Sequence, residues 1–279
     1  MVISIAADAD AACFAPDTVL PTHQEIAADA HLGRSARDLA QALLGHDLGT
    51  AKRLLDSDRA LADLPVGPRH DMLSVAVASC DERAIDLLLA HGASPDGVHR
   101  GVPLELALRA TRPDFAYRLL KAGAAPQPIE DRAGPLTTAI ELNSLGGVRM
   151  LLDFHADPNV TENTGNRPLQ TALDMEHFRI AELLLDRGAD PWALDGSGGN
   201  LGSSLAEPMV TMAPEEAAAR ARLVKRLDRI GWPRPAPKVA KVRTLALAGK
   251  WPPQTARVRG AKPVSEQVLA LIRRRSARR

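Results

Sequence analysis

Between residues 70 and 195 the chain alternates short apolar clusters with polar breaks, and it does so on a fixed beat. The phrases "LLLAHGASP" at 87, "RLLKAGAAP" at 118, "MLLDFHADP" at 150 and "LLLDRGADP" at 183 place Gly92, Gly123, His155 and Gly188 at intervals of 31, 32 and 33 residues. A second phrase keeps the same time: "VPLELAL", "GPLTTAI" and "RPLQTAL" put Leu104, Leu136 and Leu169 behind Pro103, Pro135 and Pro168, with a degenerate copy, "DMLSVAVA", around Leu73. Proline at a first helical position gives up no hydrogen bond and presets φ, and glycine just past a helix adopts the left-handed conformation without a Cβ penalty. Each beat therefore predicts two short helices, the first opened near the proline and the second closed at the glycine, followed by an extended turn such as "ADPWALDGSGG". One such pair cannot bury its apolar face alone, so the period predicts a stack in which each pair completes the core of the next. Leu88, Leu89, Leu119, Leu120, Leu151, Leu152, Leu184 and Leu185 are the expected core.

These residues resemble the ankyrin repeat. Unit 157–190, "DPNVTENTGNRPLQTALDMEHFRIAELLLDRGAD", follows the family pattern nearly position by position, and the resemblance spans 70–195. A divergent first unit is expected at 36–66 and a closing unit at about 200–231, giving about six units with degenerate ends. The resemblance implies an all-α fold, an ankyrin-repeat solenoid of stacked helix pairs, with an N-terminal extension over 1–33, the solenoid over 34–231 and a basic, Pro-rich tail over 232–279. There are departures. The family favours Thr-Pro-Leu-His, whereas here Val102, Gly134 and Arg167 precede the proline and Glu105, Thr137 and Gln170 follow the leucine. The hydrogen bonds that Thr and His supply between units are lost at these positions, so a lower stability than that of a consensus array is expected. His155 stands where a glycine is wanted.

The resemblance also implies protein binding, through hairpin tips and through the face lined by the first helix of each pair. The tips carry Arg100, Glu130, Asp131, Arg132, Glu162, Asn163 and Trp192, and the face carries Arg109, Glu141 and Asp174. Trp192 takes the place that Asn159 has one unit earlier, and it reads either as a rim hot spot or as a residue packed under the closing unit.

Composition narrows the alternatives. Aromatic residues make up 3% of the 279 while hydrophobic residues reach 45%, which suits close-packed Leu/Ala helices better than a sandwich or barrel. The first residues lack a basic stretch followed by an apolar run, and no apolar run approaches the roughly 20 residues that span a bilayer. A cytoplasmic protein is expected, or one delivered into a host cell by a signal-less route, and the Ala- and Arg-rich usage suggests a bacterial source. Cys13 and Cys80 lie far apart and form no metal-type pair, so neither a disulfide nor a zinc site is expected, and a reducing cytosol is the simplest home.

No catalytic, metal or cofactor site is expected. The "GSGGNLG" string at 196–202 has the look of a phosphate-cradling turn, but its predicted context is a preceding helix rather than a strand, so it reads as a loosened hairpin. The eight histidines show no paired ligand spacing, and His91 belongs to a helix terminus. Cys80 reads as a small, half-buried residue between helices.

The net charge of +1 hides an asymmetry. Residues 1–231 hold 22 Lys+Arg against 33 Asp+Glu, and 232–279 hold 13 against the single Glu266. The segment from Trp232 reads as an extended or disordered linker too polar to pack, ending in a short helix, "SEQVLALIRRR", capped by Ser265, with Val268, Leu271 and Ile272 on one face and Arg273, Arg274 and Arg275 at its end. Three readings of this tail stand: an intramolecular contact with the acidic body, a helix that docks on a partner protein, and a contact with nucleic acid or membrane. The function expected is that of a non-enzymatic adaptor, regulator or neutraliser of a partner protein, with the effector or immunity-type roles of bacteria in view. The alternative is a nucleic-acid-associated protein acting through its tail.

Overall fold

A computed structural model describes residues 13–15, 17–99, 101–127, 134–161, 165–206 and 212–276. Contacts divide the chain into two units at Glu130/Asp131. The first unit holds α1 (His23–Ala28), α2 (Arg34–Leu44), α3 (Leu48–Ser57), a 3-10 turn (Arg59–Asp63), a two-stranded hairpin of β1 (Pro65–Val66) and β2 (His70–Asp71), α4 (Met72–Ala78), α5 (Glu82–Ala90), α6 (Val102–Arg109) and α7 (Pro113–Lys121). The second holds α8 (Pro135–Glu141), α9 (Leu145–Asp153), α10 (Pro168–Asp174), α11 (Phe178–Asp186), α12 (Leu201–Ser204), α13 (Pro214–Ile230), α14 (Val239–Leu247), α15 (Gln254–Val258) and α16 (Glu266–Ser276). Among the described residues no helix is long and apolar enough to cross a membrane.

The all-α stack expected from the period is the fold observed. Helices α2 to α11 form five packed pairs, and α12 and α13 follow on α10 and α11. Within the first unit the first helices α2, α4 and α6 pack successively, as do the second helices α3, α5 and α7; α8, α10, α12 and α9, α11, α13 repeat this in the second unit. Leu39, Leu88, Leu104, Leu119, Leu151 and Leu184 are fully buried between the layers, as Leu and Ala at helical spacing dictate. Pro113, Pro135, Pro168 and Pro214 each open a helix, whereas Pro103 is the second residue of α6. Elsewhere Asp47, Asp71, Asp81 and Ser144 cap first turns through their side-chain oxygens.

Three kinds of polar stitch join successive pairs. Along the second helices run ion pairs: Arg112–Glu82 at 2.7 Å and Arg118–Asp86 between α7 and α5, Arg187–Asp153 at 2.6 Å between α11 and α9, and Arg222–Glu182 at 2.7 Å between α13 and α11. Each is at least partly exposed and is worth at most about 1 kcal/mol. In the hairpin turns, Asp63 accepts from Ser94 N (3.1 Å), Asp96 from Ala125 N (2.7 Å) and Asn159 from Asp190 N (2.7 Å), so a short polar side chain reaches forward one unit each time. The third kind is buried. Asp71, 1% exposed, accepts from Ser74 N and Oγ at 2.8 Å and from Val98 N at 3.0 Å, doing for its unit what the Thr and His of the usual motif would do.

The residue that ends each repeated second helix is left-handed: Gly92, Gly123 and Gly188 have φ of 97°, 103° and 94°, and His155 has φ of 67°. A Cβ is costly there. His155→Gly is expected to stabilise the chain by on the order of 1 kcal/mol, seen as a rise in the thermal midpoint.

Candidate protein-binding surfaces

The hairpin tips change character at Trp192. Where Asp96 and Asn159 bond forward to the next unit, Trp192 is buried and stacks on Trp232, with ring centroids 4.5 Å apart, while Trp251 meets both rings edge-on at 5.7 and 5.4 Å. The Trp251 indole N–H donates to the Trp192 carbonyl at 3.0 Å. Of the two expectations for Trp192, the rim hot spot is therefore corrected: the ring lies in a core shared with the C-terminal segment. That segment is likewise not an extended linker. It forms α14 to α16, because two tryptophans and the apolar side of α16 outweigh its local polarity. A Cβ at Gly202, in the "GSGGNLG" string, would collide with the Trp232 indole, so the glycine there admits an aromatic ring. Asp195, buried, holds the same loop by accepting from Ser197 Oγ (2.7 Å) and Gly199 N (2.9 Å).

Helix α16 lies against the tip of the unit before it. Val268, Leu269 and Ile272 are buried and Leu271 is half-buried, its methyl seated over Gly165, where φ is 82° and any side chain would strike it. Val268 borders Arg167, Asp190 and Trp192. Arg273 pairs with Glu266 at 3.4 Å, and Arg274 and Arg275 are exposed. Ser265 accepts from Val268 N, as expected of a cap.

Arg109, Glu141 and Asp174 occupy the last positions of α6, α8 and α10, the C-terminal ends of first helices. Arg109 is half-buried and pairs with Glu105 at 3.7 Å. Glu141 and Asp174 are exposed, and Met175 beside Asp174 is one of the few large apolar side chains open to solvent. A carboxylate at a helix C-terminus faces the negative end of the dipole. The Asp174 pKa is pushed up to about 6, first by desolvation and then by the charge of Asp195. Arg100, Glu130, Asp131, Arg132, Glu162 and Asn163 lie outside the described residues.

The first unit has one further concave feature, a cavity of about 860 Å³ between α1 and the β1–β2 hairpin. Ile26, Leu32 and Val66 wall it, Glu25 and Arg69 bring charge to it, and His70 lines it. Asp29 accepts from Gly67 N at 2.9 Å, tying the hairpin to the α1 side. Burial pulls the His70 pKa down, and Arg69 adds to the effect. Among the described residues no group of three His, Cys, Asp or Glu is placed to hold a metal.

Cys13 and Cys80 form a disulfide, with Cα atoms 6.4 Å apart, against the expectation of none. Sequence distance concealed the pair: the N-terminal segment doubles back on the turn between α4 and α5, so residues 67 positions apart meet. The tryptophan cluster was missed for a similar reason, although a signal existed. In a chain so poor in aromatics, "DPW", "GWP" and "KWPP" each set a rare indole beside a proline turn.

Stacked two-helix units with stitched hairpin turns define a repeat fold of the ankyrin kind. Residues 104–195 match the family model for ankyrin repeats in three copies. Among solved structures, the ankyrin repeat domain of Bcl-3, a unique member of the IkappaB protein family, is similar, with a TM-score of 0.57 and 22% identity over 85% of this chain and 97% of that one. No curated protein matches the sequence. Ankyrin repeats are protein–protein interaction modules.

Two outcomes check these surfaces. Trp192→Ala is expected to lose about 3–5 kcal/mol in denaturant unfolding, whereas truncating the exposed Val258 should change stability by no more than about 0.5 kcal/mol. Because the folded-state pKa of Asp174 lies above its reference value of 3.8, its charge costs stability as pH rises through about 6. Asp174→Asn should raise the thermal midpoint at pH 7.5, and the gain should shrink below pH 6 and vanish below 3.8, where the carboxyl is protonated folded and unfolded.

Proposed function

We propose that the chain is a non-enzymatic interaction module that regulates or neutralises a partner protein by holding a basic segment of it against the ends of its first helices in the second unit. The observation that carries this reading is the pair Glu141 and Asp174. They recur 33 residues apart on the packed helices α8 and α10, exposed, each at the electronegative end of its own helix. Such carboxylates are poorly compensated at home, and a cation from a partner relieves both the dipole and the neighbouring charge of Asp195. Met175 offers an apolar contact alongside, the usual company of a charged rim. The tip at Gly165 is engaged by α16, which directs a partner to the helix ends rather than to that tip.

The test is affinity capture from the native host's lysate with the full chain and with Glu141→Lys/Asp174→Lys, at low and high salt. A protein partner kept by the wild type and lost by the double variant is the expected result. Recovery of nucleic acid by both chains, lost at high salt, would overturn this reading in favour of the exposed arginines of α16.

A further inference from the structure

The N-terminal segment around Cys13 makes a short strap across two consecutive turns of the first unit. Phe14, 4% exposed, pairs antiparallel with Ala110; Ala15 N donates to the Arg109 carbonyl at 3.2 Å, and Thr111 donates to the Cys13 carbonyl from its N–H at 2.7 Å and its hydroxyl at 3.2 Å. The other end of the strap is the disulfide to Cys80, in the turn between α4 and α5. The turn that receives the strap differs from its counterparts. His46, Cys80, Asn143 and Glu176 mark the corresponding turns with φ between 50° and 58°, whereas Thr111, which follows Leu104 by the same seven residues as Cys80 follows Leu73, is not left-handed, and Ala110 before it is extended at φ −71° and ψ 146°. That one turn has given up the left-handed residue and presents a β-like edge, which is the geometry a strap needs.

We infer that this strap is a redox latch: the Cys13–Cys80 bond holds residues 13–15 on the Ala110 edge, and its reduction releases them. The backbone contacts alone order a three-residue segment with one aromatic anchor, and an isolated pairing of that length does not repay its conformational entropy. The disulfide keeps the segment beside its edge by closing a loop across 67 positions of sequence. A dithiol supplies the balance. It transfers two electrons and two protons, its own sulfurs join as a cyclic disulfide, the S–S bond between Cys13 and Cys80 breaks, and both leave as thiols. Release bares the Arg109 carbonyl, the Thr111 N–H and the site of the Phe14 ring at the C-terminal end of α6. The stacked helices α4 and α6 keep their own core, to which Leu73, Val75, Leu104 and Ala107 contribute.

The experiment is amide hydrogen exchange on the full chain, oxidised and after dithiothreitol, with Cys13→Ser as an independent way to remove the bond. Thiol alkylation under denaturing conditions is run in parallel. The oxidised chain should show no reactive thiol and protected amides at Ala15 and Thr111. Reduction and Cys13→Ser should each speed exchange at those two amides by about tenfold or more while leaving the interiors of α4 and α6 unchanged. Reactive thiols in the oxidised chain, or protection at Thr111 that survives reduction, would overturn the latch. Faster exchange throughout α4 and α6 would overturn it too, by making the bond a staple of the fold.

Discussion

A helix pair in this chain has half a core. Its Leu and Ala face is completed by the next pair, and with so few aromatic side chains no single helix buries enough area to stand alone. Leu88, Leu104, Leu151 and Leu184 are fully buried because a neighbour of the same design lies against them. Everything else, from the hairpin stitches to the exposed helix ends, is positioned by that mutual burial. The polar bonds choose register within a stack that hydrophobic contact creates.

The stitches show how a divergent sequence keeps its spacing after giving up the usual hydrogen bonds. Arginines on the second helices reach back one unit to carboxylates, and Asp or Asn in the hairpins reaches forward one unit. At Trp192 the forward-reaching residue becomes aromatic, and the polar stitch gives way to a stacked ring. The segment after Gly231 packs Trp232 and Trp251 against Trp192, then lays α16 on the tip at Gly165.

Much of this was legible in the sequence because period is a strong signal. The helix pairs, the proline starts at Pro135 and Pro168 and the left-handed place of His155 follow from spacing and from the conformational limits of single residues. The cysteine pair was not legible, since nothing in the composition of either segment says that residue 13 returns to the α4–α5 turn. The C-terminal segment misled through its average: proline and arginine dominate it, yet its packing is decided by two tryptophans and the apolar side of one helix. At the helix ends, Glu141 and Asp174 are readable as positions, but the raised pKa of Asp174 depends first on desolvation by its surroundings and then on Asp195, which a different loop delivers.

All three tryptophans of the chain sit in one cluster of the second unit, and the sole tyrosine, Tyr117, lies in the first. Indole emission is thus a private signal of the C-terminal closure, blind to the six helices from α2 to α7, whereas far-ultraviolet ellipticity sums over both units. An unfolding curve followed by the two probes will coincide only if the units melt together. The placement of three residues turns an ordinary denaturation experiment into a measurement of coupling between the two ends of the chain.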